Sequence, residues 1–283
     1  MRIPYRSRAH EVPNTDRKEN SLYLFFAIAY ALPLITTIIV ASVAGVPAGL
    51  VVNELSVPAV VVVMAMVHAP TFAALIVVFR DNGLQGIKTL LRQLRVWRFA
   101  PQWYLKAILI FPATMLAVLL VLSFFSADFL PVLTFGVLTF AGLFSALWEE
   151  IGWTGFATPI MLRRFSPLKV GLVLGLVHAV WHLPASIYGA GAFHGNLFAL
   201  NFLVTSLGIV GLRILTLWVY TRTSSLVLGW LMHAGFTGGQ LLLVPLSLTS
   251  GETIVWNTAF SFSVVGVVAV LLVCNRDLTD SPS

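Results

Sequence analysis

PVLTFGVLTFAGLFSALWEEIGWTG, residues 131–155, is an apolar run long enough to cross a bilayer, yet it holds two adjacent carboxylates, Glu149 and Glu150. About 20 apolar residues span the hydrocarbon core as a helix. A charge at the middle of such a helix costs roughly 2.5–3.5 kcal/mol, so ionisable residues there usually face a cavity and mark function. The chain has eleven acidic residues, and all the others fall in tails or loops.

Seven more runs of this kind surround the first, at 21–45, 56–79, 104–126, 168–188, 197–220, 225–247 and 253–274. Of the 283 residues, 58% are hydrophobic and 10% charged, against about a quarter charged in a soluble domain. Lipid is the solvent for that surplus apolar surface. The pattern predicts an all-α polytopic membrane protein of about eight transmembrane helices. A polar tail (1–20) precedes a single transmembrane domain (21–275), and a short tail (276–283) ends the chain. No internal repeat is visible.

The net charge of +6 is placed for a membrane, not for nucleic acid. Basic residues flank the runs and form no stripe interleaved with aromatics. The loop after the second run carries Arg80, Lys88, Arg92, Arg95 and Arg98; Arg163, Arg164 and Lys169 follow the fourth, Arg222 the sixth and Arg276 the eighth. The alternate loops, 46–55, 127–130, 189–196 and 248–252, contain no Lys or Arg. The positive-inside rule puts the basic loops and both termini in the cytoplasm. The expected location is the cell membrane, with lipids as partners and no nucleic acid. The N-terminal residues lack the form of a signal peptide and read as a retained cytosolic tail. Cys274 is the single cysteine, which excludes an internal disulfide. In GLQGIKTLLRQLRVWRF (83–99), Ile87, Leu90, Leu91 and Leu94 recur at helical spacing, as in a helix lying in the membrane interface or a connector helix.

Polar side chains pair at i,i+4 on three helices: Glu150 with Thr154, His178 with His182 and His233 with Thr237. That spacing sets each pair on one helix face. At about 1.5 Å per residue, Glu150, His182 and His233 all lie roughly 16–20 Å from the basic ends of their helices. A shared wet pocket, open toward the cytoplasmic half, would take them all. A carboxylate there can act as general base toward water, and histidines can orient that water, protonate a leaving amine or donate to an oxyanion. Glu with His and no Ser or Cys suggests hydrolysis by direct attack of water. Gly229, Gly235, Gly238 and Gly239 would let the seventh helix pack closely.

EEIGWTG (149–155), VHAVWHLP (177–184) and LMHAGFT (231–237) resemble, in order and spacing, the CAAX-protease and bacteriocin-processing (CPBP, or Abi) family, related to the type II CAAX prenyl endopeptidases. The resemblance covers about residues 130–245 and implies an intramembrane endopeptidase. It implies that Glu149 activates water with His182, that Glu150 supports the site, and that His233 with residue 237 stabilises the oxyanion. The family motifs are EExxxR, FxxxH and HxxxN. Here Thr154 stands for the arginine, His178 for the phenylalanine and Thr237 for the asparagine. Arg213 is the one basic residue well inside a run. Such a residue commonly snorkels to the surface; turned inward, it would supply the charge missing at Thr154.

Two rival readings remain. His178, His182, His233 and a glutamate would make a zinc set, and zinc is the one cofactor considered. The other rival is a non-catalytic immunity or scaffold protein, or a small transporter. A peptide or a lipidated protein is the expected substrate, and the oligomeric state is left open. His68 would be a hydrogen-bonded buried residue or a cavity lining; Trp153 and Trp181 would be core or substrate wall. Asn201 and Asn257 would be packing contacts.

Overall fold

The computed structural model describes residues 15–44, 57–188 and 197–280. Most of the N-terminal tail, the loops 46–55 and 189–196 with His194, and the last three residues lie outside that range. The described residues form helices and no strand: α1 (Thr15–Ala44), α2 (Val57–Arg92), α3 (Pro101–Ser123), α4 (Val137–Gly152), α5 (Thr158–Met161), α6 (Pro167–Trp181), α7 (Leu183–Tyr188), α8 (Leu197–Thr223), α9 (Leu226–Leu243) and α10 (Ser250–Cys274). Every expected run lies on a helix. Among the described residues six helices, α1, α2, α3, α8, α9 and α10, are long and apolar enough to cross a membrane. The fourth and fifth runs differ from the expected simple spans, because each is interrupted.

Both interruptions sit at the motif residues. After Gly152 the chain makes a π-helical turn, Trp153–Ala157, before α5. A π turn leaves carbonyls without their usual partners, and such turns are frequent at functional sites. The Thr158 hydroxyl donates to the Trp153 carbonyl at 2.9 Å, and the Gln93 amide donates to the Gly155 carbonyl at 2.9 Å. In the fifth run, α6 ends at Trp181 and His182 lies at the turn into α7.

Local sequence explains the other boundaries. Pro101 and Pro167 open α3 and α6, where a missing N–H costs nothing. Ser166 and Ser225 cap α6 and α9 through their hydroxyls. Thr249 and Glu252 form a capping box on α10. Gly83, at φ 57°, breaks α2, a conformation glycine adopts without cost. The segment beyond it packs onto the protein: Leu90 is buried with the α1–α2–α6 core and meets Gly155. Its apolar face is therefore partly covered by protein.

Helix α8 packs against α6, α9 and α10, while α4 packs against α2 and α9. Gly171 and Gly175 bring α6 so close to α8 that a Cβ on either would come within 3.0 Å of the Ile214 or Val210 Cα. The expected close packing by glycines of α9 is present: Gly229 meets Thr154 and Thr216, Gly235 the Ile108 carbonyl, Gly238 Leu143 and Gly239 Met115. One apolar core joins α3, α8, α9 and α10; a second joins α1, α2, the π turn and α6. The polar cluster lies where α4, α6, α8 and α9 meet.

Candidate active site

Helix α4 ends its regular course with Glu149 and Glu150, both buried. Although adjacent in sequence, they have different surroundings. Glu150 is fully enclosed and saturated. Arg213 Nη1 donates to its Oε2 at 3.2 Å, Arg213 Nη2 pairs with Oε1, and the Thr154 hydroxyl donates to Oε2. His233 Nδ1 is 2.8 Å from Glu150 Oε1.

Arg213 therefore points inward and does not snorkel; its relative exposure is 0%. It brings to Glu150 the positive charge that Thr154 lacks. The physical reason is the alternative: a guanidinium in the bundle interior needs a partner, and Glu150 supplies a two-pronged one.

Glu149 keeps capacity to spare. Its Oε2 is 3.0 Å from His178 Nε2 and 3.9 Å from His233 Nε2. The imidazole beside Glu149 is that of His178, the residue standing where the family motif has phenylalanine. His182 is its neighbour, with ring centroids 4.9 Å apart, and the donor atoms of Glu149, His178 and His182 lie within 4.8 Å of one another. Two hydrogen bonds of about 2.8 Å meeting on one water span roughly that distance. Trp153 and Trp181 wall the histidines, with centroids 5.5 and 5.6 Å from His178. Trp181 Nε1 donates to the Ala29 carbonyl at 2.9 Å, which fixes that wall to α1.

His233 Nδ1 lies 2.8 Å from Glu150 and 3.2 Å from Arg213 Nη2, and one ring nitrogen cannot donate to the first while accepting from the second. With Nδ1–H given to the carboxylate, neutral His233 presents a lone pair at Nε2. Doubly protonated, it presents an N–H there. With Nδ1 instead accepting from Arg213, the neutral ring carries its N–H at Nε2, so this tautomer and the doubly protonated ring can both donate to an oxyanion.

Thr237 lines the cavity beside His233. Its hydroxyl lies 2.9 Å from the Gly142 carbonyl and 3.2 Å from the His233 carbonyl. A hydroxyl has one proton, and here backbone acceptors hold it, so Thr237 has no donor aimed at a reacting group. His68 is outside the site: its Nδ1 bonds to the Met64 carbonyl at 2.8 Å and its ring packs on Trp148. Asn201 and Asn257 are bonded to each other at 2.8 Å across α8 and α10.

A cavity of about 340 Å³ reaches the cluster, with His178, His182 and His233 lining its inner end. The rest of the lining comes from Ser186 beyond His182, Asn201 and Thr205 near the start of α8, Gln240 near the end of α9, and Asn257 near the start of α10. All these positions lie toward helix ends joined by loops free of Lys and Arg. On the side of the basic helix ends, α9 packs tightly on α4 and α8, with a Gly229 Cβ position only 3.2 Å from Thr154 Cγ2 and 3.4 Å from Thr216 Cγ2.

Residues 131–238 match the family described as "Type II CAAX prenyl endopeptidase Rce1-like", close to the range 130–245 that the motifs mark. The curated "CAAX prenyl protease 2" of Methanococcus maripaludis is 30% identical over 125 residues. That alignment spans 42% of this chain and 43% of the relative, less than half the length of either.

Proposed function

We propose that this chain, whose residues 131–238 match the Rce1-like family of type II CAAX prenyl endopeptidases, is an intramembrane peptidase that hydrolyses its substrate by direct attack of water. The supporting observation is the asymmetry of the acids: Glu150 is saturated by Arg213, Thr154 and His233, whereas Glu149 retains acceptor capacity behind the histidines that line the cavity.

Water held between Glu149 and His182 is deprotonated by Glu149 as its oxygen attacks the peptide carbonyl carbon. The carbonyl π electrons move to oxygen. His233, with a proton on Nε2, donates from it to that oxyanion. Collapse of the tetrahedral intermediate breaks the C–N bond, and the proton taken by Glu149 leaves with the amine. His178 orients the Glu149 carboxylate. A lipidated or membrane-associated peptide is the substrate class the family name suggests; "prenyl protease" describes the relative. The proposed location is the cell membrane, with the basic loops in the cytoplasm by the positive-inside rule.

The test compares Glu149→Gln with Glu150→Gln. Glu149→Gln is expected to remove cleavage by about 10²–10⁴-fold while leaving the fold intact. Cleavage retained in folded Glu149→Gln protein would contradict the proposal.

A second reading is favoured by one observation: Glu149, His178 and His182 bring their donor atoms within 4.8 Å of one another. Zinc ligands sit about 2.0–2.2 Å from the metal, so the Glu149–His178 separation of 3.0 Å already suits a shared ion, while His182 would have to close in. In that case these three residues hold the metal, which would polarise the attacked carbonyl and acidify a bound water. Metal analysis of purified protein separates the readings: one chelatable zinc per chain supports the metal site, and metal-free protein that cleaves its substrate contradicts it.

A further inference from the structure

Val57 to Gly83 is roughly 40 Å of helix, more than the hydrocarbon core of about 30 Å, so the break at Gly83 falls at a membrane edge. Beyond the break, residues 84–98 carry three different faces. One lies on the protein: Gly86 and Leu90 are buried, and Ile87, Gln93 and Leu94 are half-buried. Leu84 and Leu91, two helical turns apart, share a second face and are exposed. Lys88 and Arg92, spaced i,i+4, lie beside that leucine stripe, and Arg95 and Arg98 follow; all four are exposed. Exposed leucines beside a row of cations are the pattern of a helix whose apolar face enters the acyl boundary while its charges meet the headgroups. Trp97 is exposed too, with Arg98 Cζ 5.4 Å from its ring centroid, and tryptophan favours that depth.

These cations lack carboxylates of their own. Arg80, Arg164 and Arg222, at other helix ends, pair with Asp81, Glu19 and Asp277. Among the described residues no acidic side chain pairs with Lys88, Arg92, Arg95 or Arg98. A phospholipid with a net negative headgroup supplies the missing charge, and its acyl chains supply the apolar contact that Leu84 and Leu91 need. A soluble phosphate would supply only the first.

The same segment is fastened to the elements that carry the catalytic cluster. The Gln93 amide donates to the Gly155 carbonyl at 2.9 Å, and Leu90 Cδ1 lies 3.3 Å from the Gly155 Cβ position. The Ser225 hydroxyl, which caps α9, donates to the Val96 carbonyl at 2.7 Å, and the Tyr104 hydroxyl on α3 donates to the Trp97 carbonyl. Gly155 belongs to the π turn that follows Glu149 and Glu150, and α9 carries His233.

We propose that Lys88, Arg92, Arg95 and Arg98 bind the headgroups of anionic phospholipids, with Leu84 and Leu91 among the acyl chains, and that this occupancy steadies the π turn through Gln93. The lipid seat stands independently of the reaction at Glu149.

The test places the whole 283-residue chain in nanodiscs of phosphatidylcholine, alone or with an equal share of phosphatidylglycerol. Wild type is compared with Lys88→Gln/Arg92→Gln/Arg95→Gln, changed only at exposed positions. Native mass spectrometry reads the lipids retained. Wild type is expected to retain phosphatidylglycerol over phosphatidylcholine, and the triple variant to lose about tenfold of that preference. Phosphatidylglycerol should also slow amide hydrogen exchange of wild type about tenfold in 84–98 and in 153–157, and raised salt should reverse the slowing. Gln93→Leu should keep the slowing in the first segment and lose it in the second. Equal retention of both lipids by wild type, or an undiminished preference in the triple variant, would overturn the seat. Slowing confined to 84–98 in wild type would overturn its link to the π turn. The same slowing in phosphatidylcholine discs on adding inorganic phosphate or polyglutamate would assign the cations to a soluble anion or an acidic peptide, and overturn the lipid assignment.

Discussion

Arg213 and Glu150 form a fully buried ion pair between α8 and α4, with both guanidinium Nη atoms meeting the carboxylate. The pair neutralises one of two neighbouring acids and leaves the other its acceptor capacity. It also fixes His233, whose Nδ1 reaches the same carboxylate.

Breaking that pair from one side should be costly. Arg213→Gln leaves Glu150 enclosed without a counter-charge and is expected to destabilise the protein by about 3–5 kcal/mol. Adding Glu150→Gln should return much of that loss, because the pair is then removed and not broken. Thr154→Arg in the Arg213→Gln background should also restore stability, since the residue at 154 already touches the Glu150 carboxylate. Thermal unfolding in detergent reads all three. Wild-type stability in Arg213→Gln would sink this account of the pair.

Thr237 is expected to act as a helix fastener. Removing its hydroxyl by Thr237→Val should cost about 1 kcal/mol of stability and change kcat by no more than a few-fold. A hundredfold fall in kcat with unchanged unfolding would show that the hydroxyl leaves its backbone acceptors to serve the reaction.

His178 should matter through Glu149. His178→Phe deletes a hydrogen bond to a carboxylate, worth about 1.5–3 kcal/mol, which corresponds to roughly a 10–100-fold lower kcat if the bond holds Glu149 in place during reaction. KM should stay near wild type. An unchanged kcat would remove His178 from the mechanism.

The tight packing of α9 near the basic helix ends can be probed by overpacking. Gly229→Leu forces its side chain onto Thr154 and Thr216 and should destabilise by about 1–3 kcal/mol. Unchanged unfolding of Gly229→Leu would contradict that packing.

Much of this architecture could be read from the chain because the bilayer sets one length, about 20 apolar residues, that recurs around each expected span. The i,i+4 pairs set Glu150, His178 and His233 each on one helix face, and in three dimensions these faces meet. Spacing does not say how those helices close on one another. That depends on Gly229 meeting Thr154 and on the Asn201–Asn257 contact, between residues far apart in sequence. The commitment of the Thr237 hydroxyl to Gly142, 95 residues away, was hidden for the same reason. The π turn at Trp153–Ala157 depends on capping by Gln93 and Thr158, and only the second of these is local. Arg213 left a legible signal, a lone cation within an apolar run, but its partner had to be found in three dimensions.

The most direct measurement compares membrane and secreted peptides from cells producing the wild-type chain or Glu149→Ala at equal levels of folded protein. The account predicts new peptide termini that appear with the wild type and vanish with Glu149→Ala. Identical peptide sets from the two would contradict it.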